Sequence, residues 1–262
     1  IYAVVEIMEV FTFHYLTDTY GDIPFSEAAQ GATISKPRYD PQMEVYDGLI
    51  QKLDAALAAI GQNGSDSPGS ADPIFGGNMD HWVAFANALK FRIYMRQSLI
   101  RPEVAEQGIR SLEGLPMMEN VSQEARIELT GSGGSVNPVY QQNGGSGSLR
   151  ITGSPTLIGY LSALNDPRLP AYFNDADGNA DNGLQFVGWP NGQNLNAPEE
   201  GYSTPTFPLQ ANAPMILMSY AELLFLKAEA AERGWWTSKK LWMGRSVLPF
   251  KRRRLCWMSC RI

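Results

Sequence analysis

Helical periodicity with proper start and stop signals constrains this chain more than any other feature. Asp40-Pro41 offers an N-cap followed by proline at the first helical position, where the missing N–H has no partner to lose. Met43, Tyr46, Leu49, Ile50, Leu53, Leu57 and Ile60 then recur at helical spacing until Gly61 stops the run, which predicts a helix over 40–60. A second is predicted from about Asp80 to Ser98, striped by Trp82, Phe85, Ala86, Leu89 and Ile93 and flanked by Lys90, Arg92 and Arg96. Others run from Pro102 to before Gly114, from Pro155 to about Leu164, and from Pro214 to about Glu232, with Gly234 as the residue after the cap. The opening segment from Ile1 to Val10 carries two glutamates and no basic stretch, so it reads as the interior of a helix whose start is missing rather than as a signal peptide.

Strand signals are poor, Ile127-Glu-Leu being the best of them. Long irregular stretches separate the helices: Gly131-Ser-Gly-Gly-Ser, Gly144-Gly-Ser-Gly-Ser, and residues 174–213, which are rich in Gly, Asn, Asp and Pro. Loops of that length in a compact domain are functional or disordered. The expected class is mainly α with large loops. No run of about 18 apolar residues occurs, so no helix is long and apolar enough to span a bilayer.

Charge divides the chain sharply. The formal net charge is −6, yet residues 235–262 hold eight basic side chains and no acid. That leaves 13 basic and 27 acidic residues in 1–234, a body charge of −14. The same tail holds Trp235, Trp236, Trp242 and Trp257, and both cysteines, Cys256 and Cys260. An acidic, cysteine-free body gives no electrostatic footprint for nucleic acid and suits an oxidising or exposed compartment. The expected division is a folded body over 1–234 and a basic tail over 235–262 that packs poorly against it.

Catalytic motifs are scarce. There is no phosphate-binding loop, no dinucleotide fingerprint and no Gly-x-Ser-x-Gly elbow. The only histidines, His14 and His81, lack metal spacing and read as ordinary helix-face residues. Glu199-Glu200 is the most conspicuous acidic pair for a two-carboxylate glycosidase, though adjacent acids in such a loop are usually just solvated. Asp175, Asp177, Asn179 and Asp181 alternate as calcium ligands can. Gly178, however, falls two places early for an EF-hand and Phe186 occupies the twelfth position, so a polar turn is the simpler reading.

Loop aromatics point further. Phe25, Tyr39, Tyr140, Trp189, Tyr202 and Phe207 lie outside the helix stripes. Sugar rings present apolar C–H faces that stack on aromatic rings, while their hydroxyls need amide, carboxylate or guanidinium partners at the edge. Trp189-Pro-Asn191-Gly-Gln-Asn supplies both kinds within six residues. Trp189, Asn191, Tyr202, Phe207, Tyr140 and Tyr39 are therefore the ligand candidates. Trp189, with Tyr202 or Phe207, is expected exposed on the same face as the 131–148 loop. The competing reading is that a loop aromatic plugs into the core beneath its own loop.

Four segments resemble the SusD/RagB-type family of nutrient-binding lipoproteins. Tyr20-Gly-Asp-Ile-Pro matches its Tyr-Gly-Asp-[Ile/Val]-Pro signature, and Asn87-Ala-Leu-Lys-Phe-Arg92 its Asn-[Ser/Ala]-Leu-Lys-x-Arg helix. Asp166-Pro-Arg168 resembles its Asp-Pro-Arg turn, and Ser219-Tyr-Ala-Glu-Leu-Leu-Phe its late Ala/Glu-rich helix. Their order and spacing over about 1–234 make the match specific. The resemblance implies a tetratricopeptide-like helical scaffold beneath irregular ligand-binding loops. It implies a non-enzymatic protein of the outer-membrane cell surface that delivers oligosaccharide, or in some relatives peptide, to a SusC-like TonB-dependent transporter, without a cofactor. The membrane tether would be an N-terminal lipid that this fragment lacks. Tyr20, Gly21, Asp22 and Pro24 read as a turn closing the first helix, and Asn87 and Arg92 as helix-packing positions. After Gly234 the family continues with an amphipathic helix where this chain has its Arg-rich tail. CGN arginine codons read one base later begin with G and encode Val, Ala, Asp, Glu or Gly, so a shifted reading frame would account for the change; the alternative is a genuine basic amphipathic tail.

Overall fold

A computed structural model of the chain describes residues 1–31, 33–62, 67–144, 151–178, 183–192, 201–206 and 210–237. Among these, helices dominate: α1 Tyr2–Tyr20, α2 Gln42–Gln62, α3 Met79–Arg96, α4 Pro102–Ser111, α5 Pro138–Gly144, α6 Pro155–Ala163, α7 Leu169–Tyr172 and α8 Tyr220–Glu232. Strands β1 Ala125–Ile127 and β2 Met215–Met218 pair antiparallel in a two-stranded sheet.

α3 is the central element, and α1, α2, α4 and α8 all pack against it. Its sequence explains why. Trp82, Phe85, Leu89, Phe91 and Ile93 are fully buried, and Asn87, Lys90 and Arg92 are buried too, on the sides that an outer helix would leave in solvent. Asn78 starts the helix by accepting the His81 N–H at 3.1 Å. The α3–α4 crossing is close because Gly108 has no side chain: a Cβ there would run into the Tyr94 ring. Before α3, the Asp72 carboxylate organises a tight knot. It accepts the N–H groups of Ile74, Phe75 and Gly77 at 2.9, 3.2 and 3.0 Å and the Trp82 indole at 2.7 Å.

The Tyr20-Gly-Asp-Ile-Pro segment is the expected helix-closing turn. α1 stops at Gly21, whose φ of 78° is left-handed and suits glycine. Ile23 then pairs with Asp40 in an antiparallel bridge, and the buried Asp40 carboxylate accepts the N–H groups of Phe25 and Ser26 at 3.0 and 2.6 Å. Asp22 accepts the Gln42 N–H at 2.9 Å at the start of α2. Phe25 is a core plug: it stands edge-on to Phe13 at 5.3 Å, in a notch left by Gly48.

Two expectations need correction. The last helix does not begin at Pro214, because Met215–Met218 is strand β2 and the true N-cap is Ser219, whose hydroxyl accepts the Glu222 N–H at 3.1 Å. Ser-x-x-Glu is the capping-box pattern, and it overrides the helix-compatible apolar run ahead of it. Packing also continues past Gly234. Trp235 belongs to the main core, Trp236 stands edge-on to Phe91 at 5.2 Å, and Thr237 bonds Glu113 Oε1 through N–H and hydroxyl, both at 2.8 Å. Poor packing does not apply to 235–237, where indole burial outweighs the compositional break. Residues 238–262 lie outside the described residues.

A second, smaller core lies in the loop-rich part of the chain. Ile158, Leu161, Leu169 and Phe173 form it, with Phe186 against them. The Asp166-Pro-Arg turn leads into α7: Asp166 accepts the Arg168 N–H at 2.9 Å and clasps its guanidinium, so the Arg168 side chain holds the carboxyl down at about 2.

Candidate ligand-binding site

Backbone pairing across three loop segments builds the candidate site. Gly153 N–H donates to Ser203 O at 2.7 Å, Trp189 N–H to Gly153 O at 2.9 Å and Ser203 N–H to Val187 O at 2.8 Å. The Ser203 side chain is fully buried, and its hydroxyl accepts the Val187 N–H at 3.2 Å. Residues 151–153, 187–189 and 203 are thereby held side by side. With Ser203 turned inward, the neighbouring Tyr202 turns outward by the two-residue alternation of extended chain. Its ring meets Trp189 at a centroid distance of 4.7 Å and 70°, an edge-to-face pair.

Polar groups lie on the same paired segments as the rings. The Asn191 amide lies 3.3 Å from Ser154 Oγ. Ser154 occupies the N-cap position of α6 but makes no side-chain capping bond, so its hydroxyl is turned to Asn191 instead. Gly188 makes the approach feasible, since a Cβ there would collide with the Pro155 backbone. Ser154, Gly188 and Ser203 are the residues that sequence reasoning missed. A Gly directly before the Trp and a Ser-Pro helix start were the available signals.

The sequence-predicted residues separate into groups. Trp189 and Tyr202 come together, while Asn191 meets Ser154. Trp189 is half-buried rather than exposed, because its ring packs against Tyr202. Tyr140 is exposed on α5, whose start is held by Asn137 through hydrogen bonds with Ala211 and Ala213. Tyr39 is exposed beside Asp40 at the α1–α2 connection. Neither makes a ring contact with the Trp189–Tyr202 pair among the described residues. Phe207 lies outside the described residues, as do Glu199, Glu200 and the 145–148 part of the Gly/Ser loop. Of the described part of that loop, Gly131 lies against Ala211 and Asn212. Of the calcium candidates, Asn179 and Asp181 lie outside the described residues, while Asp175 Oδ1 accepts N–H groups of Asp177 and Gln185 at 3.3 and 3.4 Å. Among the described residues, no three His, Cys, Asp or Glu side chains gather as a metal site would need.

Comparison with known proteins decides the lineage. A family model, SusD-like, described as starch-binding and associating with the outer membrane, matches residues 1–242. The chain belongs to the SusD-like family. Among solved structures, a SusD homologue from Bacteroides uniformis ATCC 8492 is 28% identical with a TM-score of 0.76, covering 91% of this chain and 49% of its own. A chitin-binding SusD homologue from Flavobacterium johnsoniae is 27% identical with a TM-score of 0.77 and the same coverage, 91% and 49%. A SusD-like protein from Bacteroides thetaiotaomicron VPI-5482 is 25% identical with a TM-score of 0.75, again covering 91% and 49%. The chain thus spans about half the length of the solved relatives it matches. No curated protein matches it. The mainly helical SusD-like fold agrees with the expectation drawn from periodicity and motifs. The match to residue 242 also runs past the compositional break at Gly234.

Proposed function

We propose that this chain is the glycan-holding part of a non-enzymatic binding protein on the outer-membrane cell surface. It would be tethered by a lipid and would pass oligosaccharide to a SusC-like TonB-dependent transporter. The Trp189–Tyr202 ring pair, with the Asn191–Ser154 polar pair on the same hydrogen-bonded segments, carries this reading. It joins an aromatic surface for a sugar's C–H face with an amide and a hydroxyl for its edge. Membership of a family described by starch binding, and likeness to a chitin-binding homologue, support a glycan as the ligand. Stacking and amide hydrogen bonds hold a sugar without proton transfer, so the reading assigns no catalytic residue. It also needs no metal, and nothing in it runs through Asp175 to Asp181.

Calorimetric titration with chitin and starch oligosaccharides tests it. Aromatic stacking contributes about 0.5–1.5 kcal/mol, so Trp189→Ala should weaken binding roughly 2- to 10-fold. The oligosaccharide should be recovered intact after prolonged incubation. Affinity unchanged by Trp189→Ala would move the ligand elsewhere on the chain, and shortened products would make the protein an enzyme.

A further inference from the structure

The ring pair of Trp189 and Tyr202 stands at one end of a longer strip. Residues 202–206 run with a hydrogen-bonded neighbour on each edge. On one edge Ser203 pairs with Val187 and Gly153. On the other, the Asn174 N–H donates to Thr204 O at 2.8 Å and the Thr206 N–H to Tyr172 O at 2.9 Å. These two bonds flank an antiparallel bridge between Phe173 and Pro205. Residues directly opposite in such a pairing point to the same face, and successive residues point to opposite faces. Ser203 and Phe173 are buried, which fixes the inner face. Tyr202, Thr204, Asn174 and Tyr172 therefore share the outer one. The 3.0 Å bond from Asn174 Nδ2 to Thr204 Oγ1 lies across that face, and Tyr172 is 45% exposed on it.

Tyr172 gives the far end of the strip an aromatic ring held in place. The Arg168 guanidinium carbon lies 5.9 Å from the ring centroid. Arg168 is itself clasped by Asp166, Nη2 to Oδ2 at 2.6 Å and Nε to Oδ1 at 2.9 Å. A ring propped by a tethered cation has less rotamer freedom to lose when a ligand stacks on it. From Tyr202 to Thr206, which lies opposite Tyr172, extended chain rises about 13 Å. A single sugar ring does not reach both aromatics over that distance, whereas a chain of sugars does. Between the rings stand an amide and a hydroxyl, donors and acceptors suited to a sugar's hydroxyl edge.

Resting on the glycan reading of the Trp189–Tyr202 pair, we propose that the site continues along this strip to a second stacking ring, Tyr172. Asn174 and Thr204 bond the sugar hydroxyls between the two ends, and the Asp166–Arg168 clasp positions Tyr172 without touching the ligand. The preferred ligand is then an oligosaccharide long enough to span both rings.

Calorimetric titration of the full-length protein with chitin and starch oligosaccharides, graded from disaccharide to hexasaccharide, tests the extension. Parent affinity should rise with length. Tyr172→Ala should leave the shortest bound ligand unaffected and weaken the hexasaccharide roughly 2- to 10-fold, while Trp189→Ala weakens every length. Tyr172→Phe keeps the ring and should match the parent throughout. Asn174→Ala should also weaken the hexasaccharide alone, and it carries the test by itself if Tyr172→Ala does not fold. Hexasaccharide affinity untouched by Tyr172→Ala and by Asn174→Ala, with Trp189→Ala still weakening it, would overturn the second ring and leave the glycan reading standing. Equal loss at every length in Tyr172→Ala would also overturn it, since the two rings would then not be successive contacts. A parent that binds no oligosaccharide of any length would overturn both.

Discussion

Exchanging His14 for leucine should flatten the chain's response to acid, because His14 is buried where a proton is unwelcome. The side chain is 2% exposed, its ring lies 6.4 and 6.2 Å from those of Tyr15 and Tyr46, and neither ring nitrogen has a hydrogen-bond partner. Nε2 stands 3.5 Å from Asp18 Oδ1 without bonding it. Burial pushes the imidazole down, Asp18 opposes, and Arg92 and Arg96 add to the fall, leaving it at about 4 against an ordinary 6.5. A lowered pKa means that the unfolded chain binds the proton first. Stability is therefore complete above pH 6.5 and is lost as pH falls from 6.5 towards 4. The linkage relation gives a loss of ~2 kcal/mol at pH 5, approaching ~3 kcal/mol near pH 4. Urea unfolding followed by tryptophan fluorescence, repeated from pH 7.5 to 4.5, measures it. Carboxylates contribute their own slope below pH 5, so the informative quantity is the difference between parent and His14→Leu. That difference should widen by about 2 kcal/mol between pH 7.5 and 5, in the variant's favour. At pH 7.5 the variant should be no less stable, since the unbonded nitrogens gave the parent nothing there. Parallel stability curves, or an imidazole found by NMR to titrate above 6, would refute the reasoning.

Two further substitutions probe the scaffold. Asp72→Ala leaves the Trp82 indole and three backbone N–H groups without their acceptor. At ~1–3 kcal/mol for the buried indole and less for each part-buried amide, the urea midpoint should report a loss of roughly 3–5 kcal/mol; less than 1 kcal/mol would deny the knot its role. Burial pushes the Asp72 carboxyl up, but hydrogen bonds from Gly77, Ile74, Trp82 and Phe75 outweigh it and hold it below its usual range. This carboxylate's stabilisation is therefore full above about pH 4 and lost as pH falls through its folded value. Gly108→Val should cost about 1–3 kcal/mol by overpacking against Tyr94, with Tyr94→Ala recovering part of it in the double variant.

The helices were legible because their signals are local. Asp40-Pro41 marks the start of α2 and Gly21 the end of α1 within one or two residues, and the stripe of Trp82, Phe85, Leu89 and Ile93 lies on α3. Strand β2 was not, because Met215–Met218 fits a helix as well as a strand until its partner is known. That partner, Ala125–Ile127, lies some ninety residues away, and only Ser219 with Glu222 marks the boundary locally. Arg92 and Asn87 were placed correctly as packing residues. Their burial follows from α3 having neighbours on every side, which charge alone would have argued against.

Loop aromatics show where such reading stops. Phe25 and Trp189 look alike in sequence, each in a Gly- and Pro-containing stretch, yet they do different work. Phe25 is held in place by Asp40, which gathers the Phe25 and Ser26 N–H groups and turns the ring into the notch at Gly48. Trp189 has no such route to the main core. Its N–H is taken by Gly153, and Gly188 is pressed against Pro155, so the indole meets Tyr202 at the rim of a separate small cluster. What distinguishes them is which backbone each loop leans on, a long-range property. Composition can therefore nominate an aromatic for ligand binding, but the loop's own hydrogen bonds decide whether the ring is spent on packing or left at a surface. By that criterion the proposed sugar contact rests on Trp189 and Tyr202, and Phe25 takes no part in it.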